Sequence, residues 1–334
     1  TEVRTLTLIN GGVTYKSQSV TLDMLPVLLD NAESGNYSVD VNPGISFPVL
    51  AFNVTSEDLA KREVFGDLRF RTAMSIAMNR DEINEVVFFG LGVPTQYTTF
   101  SPYPEFADPA WESHEIGYDV DRANSLLDEM GLVDADGDGN RDLPNGDPFV
   151  LNIQFSTQEL SSQLIEITGQ NWADVGVASV IKEVTPDEYR SAQSANQLDL
   201  MSWSQGAPLG VAMGSNELHV PPFSTYFNAR NGMLWAEWID SDGANGVEPP
   251  AYVMGMIDDV NAMQVSAPGS DAQAAAANGL IEAMTSNLLF IGTVKSSSPT
   301  YYTNALQNVV QFKTTSYDFY RTYPYNPTQW WLSE

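Results

Sequence analysis

The chain has 334 residues, with 43 acidic against 15 basic side chains for a net charge of −28, no cysteine and two histidines. Such acidity repels phosphate backbones and argues against nucleic-acid binding, and without cysteine there is no disulfide, iron–sulfur site or thiol nucleophile. Apolar residues make up 43% and charged ones 17%, enough to build a buried core, and the length suits two domains.

In chain order, residues 4–9 alternate like a short strand, 22–30 read as a helix, and 47–52 read as a strand leading into Asn53. Phe70, Ala73, Met74, Ala77 and Met78 then recur at helical spacing behind Asp67, which stands where an N-cap is wanted. A second helix starts near Asp81 and stops at Gly90-Leu-Gly92. Residues 100–111 are aromatic and punctuated by proline, and read as an ordered loop. Residues 118–130 form an amphipathic helix with Ala123, Leu126, Leu127 and Met130 on one side, ended by Gly131. An acidic glycine-rich loop (134–147) follows, then a strand (149–155), a helix (159–174), a strand (177–184), a short helix opened by Pro186, and a strand (198–203). Helices alternating with strands at this spacing predict an α/β domain. Residues 206–250 read as irregular, helices return over 252–265 and 271–286, and the tail from 299 carries short β runs. The longest apolar stretches, such as 287–294, fall well short of the ~20 residues that span a bilayer.

Three stretches together resemble one family. The first comprises Leu50-Ala-Phe-Asn53, Phe65-Gly-Asp-Leu-Arg-Phe-Arg-Thr-Ala-Met-Ser-Ile-Ala-Met-Asn-Arg-Asp-Glu-Ile83 and Val87-Phe-Phe-Gly-Leu-Gly-Val-Pro94. It resembles the signature of the dipeptide- and oligopeptide-type (family 5) solute-binding proteins of ABC importers. Tyr118-Asp-Val-Asp-Arg-Ala-Asn-Ser-Leu-Leu-Asp-Glu-Met-Gly131 is similar to a helix of that family. Asp199-Leu-Met-Ser-Trp203 is similar to the strand that delivers its ligand-contacting residues.

The resemblance implies an α/β, periplasmic-binding-protein-like fold (type II, cluster C): one lobe with part of a second. Residues 1–52 would belong to lobe I, 53–300 would form lobe II, and 301–334 would return to lobe I. It implies an extracytoplasmic protein, periplasmic or anchored at the cell surface through an N-terminal segment, that captures a solute between two lobes. Its partners would then be the permease subunits of the importer, which receive the solute. Members of the family carry a further large N-terminal segment, so a missing lobe I segment is expected as a second partner.

Peptide-binding members place an acidic residue shortly after the strand-end tryptophan, where it pairs with the ligand amine; a buried ammonium needs such a partner. Here the stretch is Trp203-Ser-Gln-Gly-Ala-Pro-Leu-Gly210, without Asp or Glu. Trp203, Ser204 and Gln205 instead suit a neutral, hydroxyl-rich solute: an indole packs on the apolar face of a pyranose, and a carboxamide both donates and accepts. Leu234-Trp-Ala-Glu-Trp-Ile-Asp-Ser-Asp-Gly-Ala-Asn-Gly-Val-Glu-Pro-Pro250 is also similar to a stretch of the family's oligosaccharide-binding branch, from which Ser241 and Asp242 depart. An oligosaccharide is therefore the expected ligand and an oligopeptide the alternative. Tyr97 and Phe100 follow Gly92 in the loop with which the family lines its cleft, and count as candidate contacts. Asn53 reads either as a hinge hydrogen-bonder or as a contact. Trp172, Trp235 and Trp238 read as packing residues.

No cofactor is required by this reading, but one motif suggests a structural Ca²⁺. Asp134-Ala-Asp-Gly-Asp-Gly-Asn-Arg-Asp142 places carboxylates at relative positions 1, 3, 5 and 9, with Gly139 at position 6 for the sharp turn. Asp134, Asp136, Asp138, the carbonyl of Asn140 and Asp142 are the candidate ligands; position 12 is Asn145 in place of the bidentate glutamate. Catalysis is not expected. No carboxylate pair stands out for glycoside hydrolysis, neither histidine sits in a triad-like motif, and Gly90-Leu-Gly92 ends a helix where a phosphate loop would open one. A secreted carbohydrate-active enzyme or carbohydrate-binding module is the alternative from another class.

Overall fold

The computed structural model describes residues 2–17, 19–44, 47–157, 160–206, 209, 231–309 and 326–333. The chain begins with α1 (Glu2–Ile9), β1 (Tyr15–Lys16), α2 (Leu25–Gly35), β2 (Tyr37–Pro43) and β3 (Phe47–Phe52). Three helices follow closely, α3 (Leu59–Gly66), α4 (Leu68–Ile76) and α5 (Arg80–Phe88), then β4 (Val93–Pro94) and α6 (Val120–Glu129). Next come β5 (Val150–Phe155), α7 (Ser162–Ala173), β6 (Ala178–Glu183), α8 (Pro186–Ser194) and β7 (Leu200–Gln205). The last part holds α9 (Met233–Asp240), α10 (Ala251–Val265) and α11 (Asp271–Ser286), then β8 (Ile291–Gly292), β9 (Val294–Lys295), β10 (Ser297–Thr303), β11 (Leu306–Gln307) and β12 (Trp331–Leu332).

These elements fall into two units, one of residues 1–46, 88–93 and 295–334, the other of 47–87 and 94–294. The borders expected at 52/53 and 300/301 lie a few residues earlier, for a reason of pairing. β3 is the middle strand of a sheet in the larger unit, and β10 is the middle strand of one in the smaller.

In the smaller unit, β10 runs antiparallel between β1 and β2, with Tyr301 opposite Val39 and Tyr302 opposite Tyr15. Leu8, Val20, Met24, Leu28, Tyr37 and Tyr301 are buried together. The Tyr301 hydroxyl donates to the Leu8 carbonyl at 2.9 Å and that of Tyr37 to the Leu28 carbonyl at 2.5 Å. Residues 4–9, read as a strand from their alternation, are helical here. Leu8 is fully buried and Ile9 packs beside it while Val3 and Leu6 stay exposed, so the segment is held by its docked C-terminal end and not by its alternation.

In the larger unit, β3 pairs antiparallel with β7 on one side and β8 on the other. β5 and β6 pair in parallel, joined by α7 as a crossover, since parallel neighbours need a long connection. Alternation along β3 separates two packing layers. Phe47, Val49 and Ala51 join a core with Tyr97, Phe100, Tyr189, Met201 and side chains of α9, α10 and α11. Phe52 faces the other way, its ring 4.9 to 5.5 Å from those of Phe65, Phe70 and Trp172, and the Trp172 indole donates to the Met74 carbonyl at 2.9 Å.

Side-chain caps fix the helix starts. Asp67 accepts from the Arg69 amide at 2.8 Å, as its position suggested, and Asp119 accepts from that of Arg122 at 2.9 Å. At α5 the cap is Asn79, which accepts from the Glu82 amide, and Asp81 lies in the first turn. The stretch read as irregular over 206–250 holds α9; its residues 207–208 and 210–230 lie outside the described residues. Among the described residues no helix is long and apolar enough to cross a membrane.

Candidate strand-end site and aspartate loop

β7 carries three of the sequence candidates at its end. Trp203 lies opposite Val49 in the antiparallel register and is half-buried against the core of that face. The Tyr189 ring stacks on its indole at 6.2 Å and 29°, and the guanidinium carbon of Arg190 lies 6.0 Å from its centre. The indole expected to be an open platform therefore already has two protein neighbours. Both come from α8, which is fixed at two points. A capping box closes its start, with Thr185 accepting from the Glu188 amide and Glu188 accepting from the Thr185 amide. The Tyr189 hydroxyl donates to the Ser202 carbonyl at 2.7 Å and accepts from the Ser202 amide at 2.8 Å. Ser204 stands opposite Pro48, half-buried, and Gln205 opposite Phe47, with its side chain outside the described residues.

Tyr97 and Phe100 turn inward. Both are about 98% buried or more in the core, and the Tyr97 ring packs 6.3 Å from Phe47 and 5.2 Å from Phe290. Burial pushes the Tyr97 phenol far above its ordinary value, and among the described residues neither its hydroxyl nor that of Thr99 has a hydrogen-bond partner. Phe100 is thus a packing residue, while Tyr97 keeps one polar atom unsatisfied next to the end of the sheet.

Asn53 is buried and uses both ends of its carboxamide. Its nitrogen donates to Asn196 Oδ1 and to the Leu198 carbonyl, each at 3.0 Å, and its oxygen accepts from the amide and hydroxyl of Thr55. It clasps the end of β3 to the segment that leads into β7. Nearby, Lys61 pairs with Asp199 at 2.5 Å, and Asp199 also accepts from the Asn152 amide at 2.9 Å, tying α3 and β5 to the start of β7.

Sequence reading passed over a second buried network. The Arg80 guanidinium donates to the Gly292 carbonyl (3.0 and 2.8 Å), the Ser75 carbonyl (2.7 Å) and hydroxyl (2.9 Å) and the Ile116 carbonyl (3.2 Å). Burial without a carboxylate lowers its pKa to about 9. Beside it, Gln96 accepts from the Gly292 amide at 2.6 Å and donates to the His114 carbonyl at 3.0 Å. Gly292 lies so close to this segment that a Cβ there would stand 2.4 Å from the Thr95 carbonyl oxygen and 2.5 Å from the Tyr97 nitrogen. The signal available in sequence was one arginine just after an apolar helix, in Ala77-Met-Asn-Arg80.

In the aspartate loop, Asp134, Asp136 and Asp138 each offer a carboxylate oxygen within 4.8 Å of the others, all exposed. Asp134 accepts from the amides of Gly137 and Gly139 at 2.7 and 3.0 Å, and Asp138 from that of Asn140 at 2.7 Å. Gly137 and Gly139 have φ of 80° and 91°, which lets the loop curl around the carboxylates. Asp142 closes it by accepting from the Ala135 amide at 3.0 Å. Arg141 anchors the base, donating to the Val175 carbonyl at 2.7 Å and to Asp128 at 2.6 Å.

Comparison with known proteins places this architecture. The family model described as "Bacterial extracellular solute-binding proteins, family 5 Middle" matches residues 2–220. The chain belongs to that family. Its whole length superposes on the oligopeptide-binding protein OppA with a TM-score of 0.77 and 29% identity, covering 55% of that chain. Over 92% of its length it superposes on the periplasmic binding protein MelB of Agrobacterium fabrum in complex with stachyose, with a TM-score of 0.74, 17% identity and 47% of that chain covered. The dipeptide-binding protein of Escherichia coli K12 is 26% identical over 164 residues, 48% of this chain and 28% of that protein. The glutathione-binding protein GsiB of Pectobacterium atrosepticum is 28% identical over 137 residues, 41% of this chain and 22% of that protein. The chain thus spans about half the length of these solved structures, and its alignments cover about a quarter of the curated relatives.

Proposed function

We propose that the chain is the solute-holding part of an extracytoplasmic binding protein of an ABC importer, which captures a polar solute without covalent chemistry and hands it to the permease. The observation that carries this reading is the family match over residues 2–220, with β7 and its aromatic surround at one edge of a three-stranded sheet of the larger unit. Solute contact is assigned to the end of β7: the part of the Trp203 indole left exposed, Ser204 and Gln205. The remaining half of the family's length would complete the lobe to which the smaller unit belongs.

An oligosaccharide is the favoured solute because residues 203–210 carry no carboxylate for a peptide amine. The 29% identity to OppA supports an oligopeptide as the second reading. Titration of the purified protein with maltotriose and with trialanine, followed by tryptophan fluorescence, tests both. A saturable change without any cleavage product supports an importer component; sugar release would point to an enzyme instead.

The aspartate loop is assigned to a structural Ca²⁺, held by carboxylates of Asp134, Asp136, Asp138 and Asp142 and the Asn140 carbonyl, a hard-oxygen set of the kind this ion prefers. Calorimetry on chelator-treated protein should then give a binding heat together with a raised melting temperature, and the absence of both would remove the assignment.

A further inference from the structure

We propose that residues 97–100 form a strained two-state segment that relaxes when a solute settles at the end of β7; this rests on the strand-end site proposed above. Thr99 has φ 69°, in the left-handed region. There the β-carbon crowds the backbone, and a β-branched side chain is more strained than most. Thr99 is 1% exposed, and among the described residues its hydroxyl has no hydrogen-bond partner. The Tyr97 hydroxyl is equally buried and has none either. A buried hydroxyl that has lost water without a replacement opposes folding. Three unfavourable features thus fall within three consecutive residues.

Such a concentration persists only where the surroundings over-determine it. Gln96 accepts from the Tyr97 amide at 2.9 Å and from the Gly292 amide at 2.6 Å, and the Tyr97 carbonyl accepts from the Thr285 hydroxyl at 3.1 Å. At the other end the Phe100 amide turns back on the Thr98 carbonyl at 2.8 Å. The core that holds the segment reaches the strand end. Tyr97 and Phe100 share it with Phe47, which lies opposite Gln205, and Trp203 packs against it. The strained conformation is therefore the ground state only because this packing compensates for it. A solute that shifts the Trp203 indole repacks the core, and Thr99 then leaves the left-handed region. A ligand moves a two-state equilibrium by its differential affinity for the two states, and the released strain is part of that difference.

Thr99→Gly removes the strain and one unpaired hydroxyl, and Tyr97→Phe removes the other hydroxyl while keeping the ring. Each variant stabilises the conformation described here, so each should melt about 2 °C or more above wild type. Each should also bind about 10-fold more weakly whichever probe wild type binds, trialanine or maltotriose, followed by tryptophan fluorescence. Thr99→Ala keeps the backbone strain and should melt below Thr99→Gly. Melting of both Thr99→Gly and Tyr97→Phe at or below the wild-type temperature overturns the strain. Higher melting with unchanged or tighter binding makes the segment a static part of the core, which overturns the coupling and leaves the strand-end site standing. Binding of neither probe by a folded wild-type protein overturns the strand-end site and the coupling with it.

Discussion

Arg80 shows how much a single side chain can hold. Its guanidinium is 2% exposed and makes hydrogen bonds to groups of Ser75, Ile116 and Gly292, joining the α4–α5 corner, the 115–117 turn and β8. Arg80→Met fills much the same space without any donor and takes the guanidinium away from the carbonyls of Gly292, Ile116 and Ser75, of which Ser75 keeps the Met78 amide at 3.3 Å; each lost bond carries a desolvation cost. Urea unfolding should show a loss of about 3 kcal/mol or more. A loss under about 1 kcal/mol would mean that water reaches those carbonyls. Residue type alone did not mark Arg80, because a charged side chain in sequence reads as surface. Asn53 was marked by its place after a strand, and its two-sided hydrogen bonding explains that place: it holds β3 to the segment before β7. The inward packing of Tyr97 and Phe100 was equally hidden, since an aromatic residue in a loop has the same pattern whether it lines a surface or fills a core.

Among the elements, α10 and α11 were legible over nearly their whole length because each is a long run of helix formers, Ala274 to Ala277 among them, between clear breakers. α1 and α9 were not. Each is eight residues long, too short to show a helical period; α9 starts behind Gly232 at φ 72°, within a stretch dominated by turn formers. The packing of α10 on α11 has one uneasy contact. Gly279 of α11 faces Asp259 of α10 so closely that a Cβ on the glycine would lie 2.5 Å from the carboxylate. Burial, and then neighbouring Asp258, hold the Asp259 carboxyl above the ordinary 3.8. The folded state therefore binds more protons than the unfolded one as pH rises past 3.8, and ionised Asp259 costs stability at neutral pH. Asp259→Asn should raise the unfolding midpoint at pH 7 and leave it unchanged at pH 3, where both states are protonated. An equal rise at both pH values would assign the gain to packing.

For the molecule as a whole, the family was legible because its motifs lie in order along one stretch, and the family model matches residues 2–220. The borders of the two units were displaced by a few residues because strand partners, invisible in sequence, decide to which unit β3 and β10 belong. The proposed strand-end site was the least legible feature: Trp203 and its neighbour Tyr189 come from β7 and α8, and no linear motif unites them. Net charge is a property at this scale. At −28, repulsion among carboxylates opposes compactness, while exposed pairs such as Arg122–Glu115 contribute little once hydrated. Shortening the screening length from ~30 Å to under ~10 Å, by going from ~0.01 M to ~0.5 M NaCl, should raise the thermal midpoint. A falling midpoint would show that the ion pairs outweigh the repulsion.

Gly292 also bears on how the chain can vary over generations. Most of the acidic surface can drift, since one solvated carboxylate substitutes for another with little effect. At position 292 the Thr95 oxygen and Tyr97 nitrogen occupy the space of any side chain, and both belong to backbone that cannot step aside cheaply. Even alanine is barred, so selection for a folded product leaves one codon family at this site. A library of random variants sorted for solubility would return the position as the sharpest point of intolerance in a strand two residues long.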